Sequence, residues 1–230
     1  CFLDRVPNHA AVSETVNLVR KRFGHRRGLV NAVLRRASGD ADSLRDAFQS
    51  APLALRTGWP KALLDELESR LSERLEAYIS AVLAPAPLTL RVRSANSRDT
   101  VIRTLPGAEG TLYSYAGVRV LGGQAIRDIT ALNEGKAVVQ DEGAQLVGLL
   151  AAPELGSVVI DYCAGRGGKA FHLADLMAGR GCVYVHDNDT KKLDQLESEA
   201  SRLGIGCIER GPLPENADLV LVDAPCTGVG

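Results

Sequence analysis

Val159-Ile160-Asp161-Tyr162-Cys163-Ala164-Gly165-Arg166-Gly167-Gly168-Lys169 reads as an apolar strand that runs into a glycine-rich turn and then a helix. Twenty residues after Gly167, Asp187 closes a second apolar run, Val183-Tyr184-Val185-His186-Asp187. A further run, Leu219-Val220-Leu221-Val222, ends in Asp223-Ala224-Pro225-Cys226. Glycines in a strand-to-helix turn let the backbone approach a ligand closely, and a strand-end carboxylate accepts bonds from ribose hydroxyls. The stretch suits a nucleoside-bearing ligand held at the carboxyl ends of parallel strands.

The surroundings fit that reading. From Gly135 onward, apolar runs at 157–161, 183–187, 205–209 and 218–223 alternate with helical patterns at 168–178 and 189–203. Such alternation predicts a parallel sheet in an α/β domain. Only residues 210–217 separate the third and fourth runs. Parallel crossovers usually take about a dozen residues or more, so no helix is expected there.

The first 83 residues read as helical. Val12, Val16, Val19 and Phe23 form one stripe, with Gly24 as its stop; further helices are expected over 28–36 and 42–49. The clearest pattern spans 61–83, where Leu63, Leu67, Leu71, Leu75, Tyr78 and Val82 predict a single helix after Trp59-Pro60. Ala84-Pro85-Ala86-Pro87 is a linker signal. Leu88, Leu90 and Val92 then alternate with Thr89, Arg91 and Arg93, which predicts a half-exposed strand with solvated arginines. RNA contact is the competing reading for those two arginines. A short helix over 97–105 and strands at 111–113 and 118–121 complete a small α+β segment. The expected organisation is 1–83 helical, 84–134 small α+β, and 135–230 the N-terminal part of an α/β domain.

Composition narrows the class. With 230 residues, 45% hydrophobic and 24% charged, the chain buries a substantial core. Five cysteines without a C-x-x-C pair point to reduced thiols in a cytoplasmic protein, not to a disulfide framework or a metal site. No run of 18 apolar residues predicts a membrane span, and no signal peptide is visible. Net charge is −1, yet residues 15–39 contain no Asp or Glu and carry Arg20, Lys21, Arg22, Arg26, Arg27, Arg35 and Arg36. A one-signed patch on a near-neutral chain marks a polyanion site, and nucleic acid is the expected partner.

Three chemistries compete for the glycine turn. Gly165-Arg166-Gly167-Gly168-Lys169-Ala170 formally matches the dinucleotide pattern G-x-G-x-x-A. A phosphate loop fails, because Cys163 stands where its first glycine belongs and Ala170 follows Lys169. Asp161, Cys163 and the Asp-Ala-Pro-Cys run favour a methyl donor and a cytosine target. Cytosine C5 is a poor nucleophile. A thiolate added at C6 gives an adduct that can take a methyl cation, a carboxyl group must hold the N3/N4 edge, and a base must remove the C5 proton.

These residues carry a resemblance. Asp161 to Lys169 and Asp223-Ala224-Pro225-Cys226-Thr227-Gly228 are similar to the cofactor and Pro-Cys motifs of bacterial RNA cytosine-5 methyltransferases. Val139-Gln140-Asp141-Glu142-Gly143-Ala144-Gln145 resembles the V-Q-D-x-x-S-Q segment before that domain. Val6-Pro7-Asn8-His9-Ala10-Ala11-Val12-Ser13-Glu14 and Val30-Asn31-Ala32-Val33-Leu34-Arg35-Arg36 resemble a NusB-type RNA-binding domain. Together they resemble the small-subunit ribosomal RNA methyltransferase B family (RsmB, Sun or Fmu). The resemblance implies a class I, Rossmann-like methyltransferase domain behind a NusB-like helical domain. It implies S-adenosyl-L-methionine bound by Cys163, Ala164, Gly165, Arg166, Gly167, Gly168, Lys169 and Asp187, with Asp223 at the junction of cofactor and base. Cys226 becomes the release cysteine. The family's nucleophile lies on a later Thr-Cys segment, so the chain is expected to be an internal, inactive piece of a longer enzyme, with an apolar edge at 219–222. Small-subunit ribosomal RNA is the implied partner, with no membrane and no metal, and a monomer is expected. A non-catalytic RNA-binding or ribosome-assembly protein is the alternative. One departure is Gly211-Pro212, where the family has Gly-Asp; the adenine-side contact is then expected either to be lost or to come from Glu215 or Asp218.

Overall fold

The computed structural model describes residues 6–226. It divides into two compact units, Cys1–Ala84 and Pro85–Gly230.

The first unit is helical: α1 (Asn8–Phe23), α2 (Arg27–Gly39), α3 (Ala41–Gln49), α4 (Leu53–Thr57), α5 (Lys61–Leu71) and α6 (Leu75–Leu83). The single helix expected over 61–83 is broken. Ser72 adopts φ 46°, and a 3-10 turn, Ser72–Arg74, separates α5 from α6. The break lets Leu64 of α5 and Leu75 and Ile79 of α6 share one small core with Leu53, Trp59, Leu67 and Leu71. One straight helix cannot turn two faces onto one cluster. Helix α4, five residues long, is too short to show a periodicity. All seven cations of the basic run are exposed. Among the described residues, their one ion pair is Arg36 with Asp40, at 3.9 Å.

The second unit begins with an antiparallel sheet in the order β2-β3-β1-β4. Its elements are β1 (Leu88–Val92), α7 (Arg98–Thr104), β2 (Ala108–Gly110), β3 (Gly117–Val120), α8 (Thr130–Asn133) and β4 (Ala137–Val139). Two expectations are corrected here. The strand expected at 111–113 lies at Ala108–Gly110, where it pairs with Val118 to Val120. Residues 111–116 form the reversal between β2 and β3, closed by Thr111 N–H donating to Gly117 O at 3.1 Å, and Leu112 and Tyr113 point outward. Strand β1 is not half-exposed either: Thr89 and Arg91 are as buried as Leu90 and Val92.

The second sheet follows α9 (Glu142–Ala151). It comprises β5 (Val158–Asp161), α10 (Gly168–Leu176), β6 (Cys182–Val185), α11 (Thr190–Leu203), β7 (Ile208–Arg210) and β8 (Leu219–Leu221). All its pairings are parallel, in the order β7-β6-β5-β8. Val159, Val183 and Val185 pack under Leu173, Met177 and Leu196 of the helices. No helix or strand lies between Arg210 and Leu219. Asp218 ties the end of that link to the start of β5: its carboxylate accepts from Val158 N at 2.7 Å, and its own N–H donates to Val158 O at 2.8 Å. No helix of the described residues is long and apolar enough to cross a membrane.

A buried polar seam joins the two sheets. The Arg91 guanidinium, 1% exposed, meets Asp175 of α10 at 2.8 Å, and Arg93 meets the same carboxylate at 2.9 Å. Arg93 also donates to the carbonyl of Leu203 at 2.6 Å, at the end of α11. Neither arginine is merely solvated, and neither is free for RNA. Sheet pairing turned them inward, and an acid 84 residues away met Arg91 there. Gln145 bridges Leu90 O and Gln140 O through its amide N–H groups and accepts from the Ser114 hydroxyl.

Candidate functional site

The glycine turn sits where β5 hands over to α10. Gly165 (φ 57°) and Gly167 (φ 89°) occupy the left-handed region, which a side chain disfavours. A Cβ on Gly167 would lie 2.5 Å from the Phe171 ring and 2.8 Å from Leu196, so this glycine is fixed by packing. A Cβ on Gly165 would meet nothing within 4 Å, so that backbone faces open space.

Asp187, just past β6, supports the turn from beneath. One carboxylate oxygen accepts from Gly165 N at 2.9 Å and the other from Asp189 N at 2.8 Å. Those bonds, with that from Asp189 the stronger influence, hold its carboxyl below the ordinary carboxylate range. Each oxygen keeps a further lone pair for a ligand hydroxyl. Next to it, the rings of Tyr162 and His186 stack with centroids 4.6 Å apart.

A cavity of about 240 Å³ opens beside the turn, lined by Gln140, Asp161, Cys163, Lys169 and Asp223 among others. Lys169 Nζ donates to Asp223 Oδ2 at 2.5 Å. Asp161 is 1% exposed, and no side chain pairs with its carboxyl oxygens, which lie near the backbone N–H groups of Cys163 and Ala170. Burial pushes its carboxyl up from 3.8 to about 6, against the pull of Lys169.

Of the residues singled out in the sequence, Cys163, Ala164, Gly168, Lys169 and Asp223 share this cavity. Gly165 and Gly167 shape the turn, and Asp187 holds it. Arg166 faces a different hollow, of about 540 Å³, with Arg127, Val139, Phe171 and Arg202. Cys226 is exposed, three residues past Asp223 and not in the cavity lining. Thr227 and Gly228 of its motif lie outside the described residues. Asp218 does not serve the adenine side: its carboxylate is bonded at the amino end of β5, and such ligands sit at the carboxyl ends. Gln140, Asp141 and Asp161 also line the cavity; the sequence reading singled out Asp161 as favouring a methyl donor but gave none of the three a binding role. The signal was present, since Asp161 ends the first apolar run and Gln140 stands in the V-Q-D segment.

Asp161 carries a pH signature. Its raised pKa means that the folded protein holds this proton more tightly than the unfolded chain. The resulting stability is present below about pH 4 and is lost as pH rises through about 6. By pH 7 the change amounts to roughly 3 kcal/mol. Asp161→Asn is therefore expected to raise the thermal midpoint at pH 7 and to change it little at pH 4. An equal effect at both values would refute the buried-charge account.

An open parallel sheet with a glycine turn after its first strand, an acid after its second and an Asp-Ala-Pro-Cys run after its fourth defines a methyltransferase-type α/β domain. Residues 148–230 match the family model described as 16S rRNA methyltransferase RsmB/F, and residues 1–38 match that of the NusB family. The chain is thus similar to the RsmB/F methyltransferases over its last 83 residues and to the NusB family at its start. It is 33% identical to the Ribosomal RNA small subunit methyltransferase B of Pseudomonas putida, over 100% of this chain and 56% of that protein. It is 32% identical to the protein of the same name from Vibrio vulnificus, over 98% of this chain and 56% of that one. The chain thus spans about half the length of the curated relatives it matches. A crystal structure of a methyltransferase homolog protein from Pyrococcus horikoshii superposes with a TM-score of 0.67 and 25% identity, covering 76% of this chain and 62% of that one.

Proposed function

We propose that the protein to which this chain belongs methylates C5 of a cytosine in small-subunit ribosomal RNA, with S-adenosyl-L-methionine as donor. The observation that carries the reading is the cavity that gathers Asp161, Cys163, Lys169 and Asp223 at the carboxyl ends of parallel strands. The residues fit the cofactor. Gly165 offers open backbone, Asp187 has lone pairs for ribose hydroxyls, and the buried Asp161 carboxyl, which no side chain pairs, suits a cationic or N–H group. Adenosylmethionine, when bound, supplies an electrophilic methyl group.

The chain's own residues do the rest. Lys169 holds the Asp223 carboxylate at the cavity mouth, where Asp223 takes the N3/N4 edge of the base. Cys226 serves release: the C5 proton passes to a base, its electron pair forms the C5=C6 bond, and the sulfur–C6 pair leaves with the attacking thiolate. The resemblance assigns attack at C6 to a cysteine on a later Thr-Cys segment. The names of the relatives support the substrate class, and the NusB match supports RNA as the ligand of the basic run.

Two measurements test this. Labelled methyl from adenosylmethionine should appear as 5-methylcytosine in unmodified small-subunit RNA incubated with the full-length protein. RNA binding without methyl transfer would favour the assembly-factor alternative. In addition, replacing Arg26, Arg27, Arg35 and Arg36 with Gln should flatten the salt dependence of RNA binding. On single strands the slope should fall by about 0.7 log units for each phosphate that the variant no longer neutralises. An unchanged slope would leave the run a solvated helix surface.

A further inference from the structure

The buried seam does not stop at Asp175. Arg91 Nε donates to Gln140 Oε1 at 2.6 Å, and the same amide donates from Nε2 to the carbonyl of Gly168 at 3.1 Å. Gln140 is 6% exposed, and it lines the cavity together with Asp161, Lys169 and Gly168 itself. Gly168 is the first residue of α10, directly after the turn that Asp187 holds from the other side. One neutral amide therefore links a buried ion pair to the first peptide of the cofactor helix. Its acceptor end is fixed by a charge, and its donor end is spent on the backbone of the site. An amide suits this place because it both accepts and donates, which a carboxylate does not.

We infer that Gln140 is a positioning residue of the cofactor cavity: through the Arg91 guanidinium it sets where the Gly168 peptide, and hence the glycine turn, stands. The inference rests on the proposed cofactor. It is separable from that proposal because the turn's own mobility is measurable without ligand. Pairing with Arg91 is structural, since the arginine has a further nitrogen without a partner and loses its Gln140 bond if the side chain is cut back. Donation to Gly168 is the positioning part.

Gln140→Glu splits the two. The carboxylate keeps and strengthens the bond to Arg91, but has no N–H for Gly168. Charge alone would favour a cationic ligand, so any weakening runs against that bias. In the full-length protein, Q140E is expected to keep a thermal midpoint near the parent's, because the stronger bond to Arg91 offsets the bond lost to Gly168, and to bind adenosylmethionine about tenfold more weakly. Amide exchange across 163–172, followed without ligand, is expected to speed up. Gln140→Leu, which removes both bonds, should lose stability as well. Parent-like affinity and exchange in Q140E would overturn the inference. A parent protein that does not bind adenosylmethionine would instead overturn the proposed cofactor, and exchange across 163–172 would still decide the role of Gln140.

Discussion

Asp175→Ala is expected to lower the stability of the 85–230 unit by about 3–5 kcal/mol, the usual cost of removing one partner of a buried pair. The Asp175 side chain is 10% exposed and answers two guanidinium groups, one of them 1% exposed. Burial already pulls the Arg91 pKa down against the attraction of Asp175, so the carboxylate is what keeps this charge tolerable inside. Without it, two cations stand side by side at the end of β1 with no counter-charge between them and α10. Denaturant unfolding of the full-length protein measures the loss. Replacing the whole triad with apolar side chains, as in R91M/R93M/D175L, should recover much of it, because the penalty belongs to the orphaned charge. A loss below about 1 kcal/mol would put the pair among ordinary surface ion pairs.

Cys226→Ala in the full-length enzyme is expected to abolish multiple turnover and to leave a covalent RNA–protein adduct. If Cys226 serves release, its removal lets attack and methylation proceed but blocks elimination. The adduct then appears as a slow band on a denaturing gel, at about one RNA per protein. The opposite outcome, no adduct and no product, would make Cys226 the nucleophile and reverse the assignment. Its exposure suits either an incoming base or a partner thiol, so the gel decides the order of events.

The legible parts of the sequence were those where one local pattern decides. The parallel strands showed as apolar runs because the central pair, β5 and β6, is largely buried, and Gly165 and Gly167 stood out because the turn needs left-handed backbone there. The missed parts depend on partners far along the chain. Arg91 looked solvated because alternation shows which side chains share a face, not what covers that face, and its cover is Asp175, 84 residues on. The stripe from Leu63 to Val82 hid a break, since Leu67, Leu71 and Leu75 keep their spacing through the 3-10 turn at Ser72. Ala108-Glu109-Gly110 has little strand preference of its own, and pairing with Val118 to Val120 makes it one. Asp161 was given no binding role because a sequence gives no measure of how deeply a carboxyl is buried.

The strand order β7-β6-β5-β8 places the two ends of the helix-free link on opposite flanks of the sheet. From Arg210 the chain must pass three strand spacings sideways, about 14 Å, and return about 7 Å to the head of β8, a straight span of about 16 Å. Its nine peptide steps reach at most about 30 Å. The link is therefore a girth strap with slack in it, with Pro212 and Pro214 as stiff stitches and Asp218 as the buckle on β5. A strap of this kind tolerates lengthening, since each doubling of a loop costs only about 0.6 kcal/mol, and its slack tolerates the loss of a residue or two. What keeps β8 against β5, and with it Asp223 and Cys226 beside the glycine turn, is the buckle rather than the length of the strap.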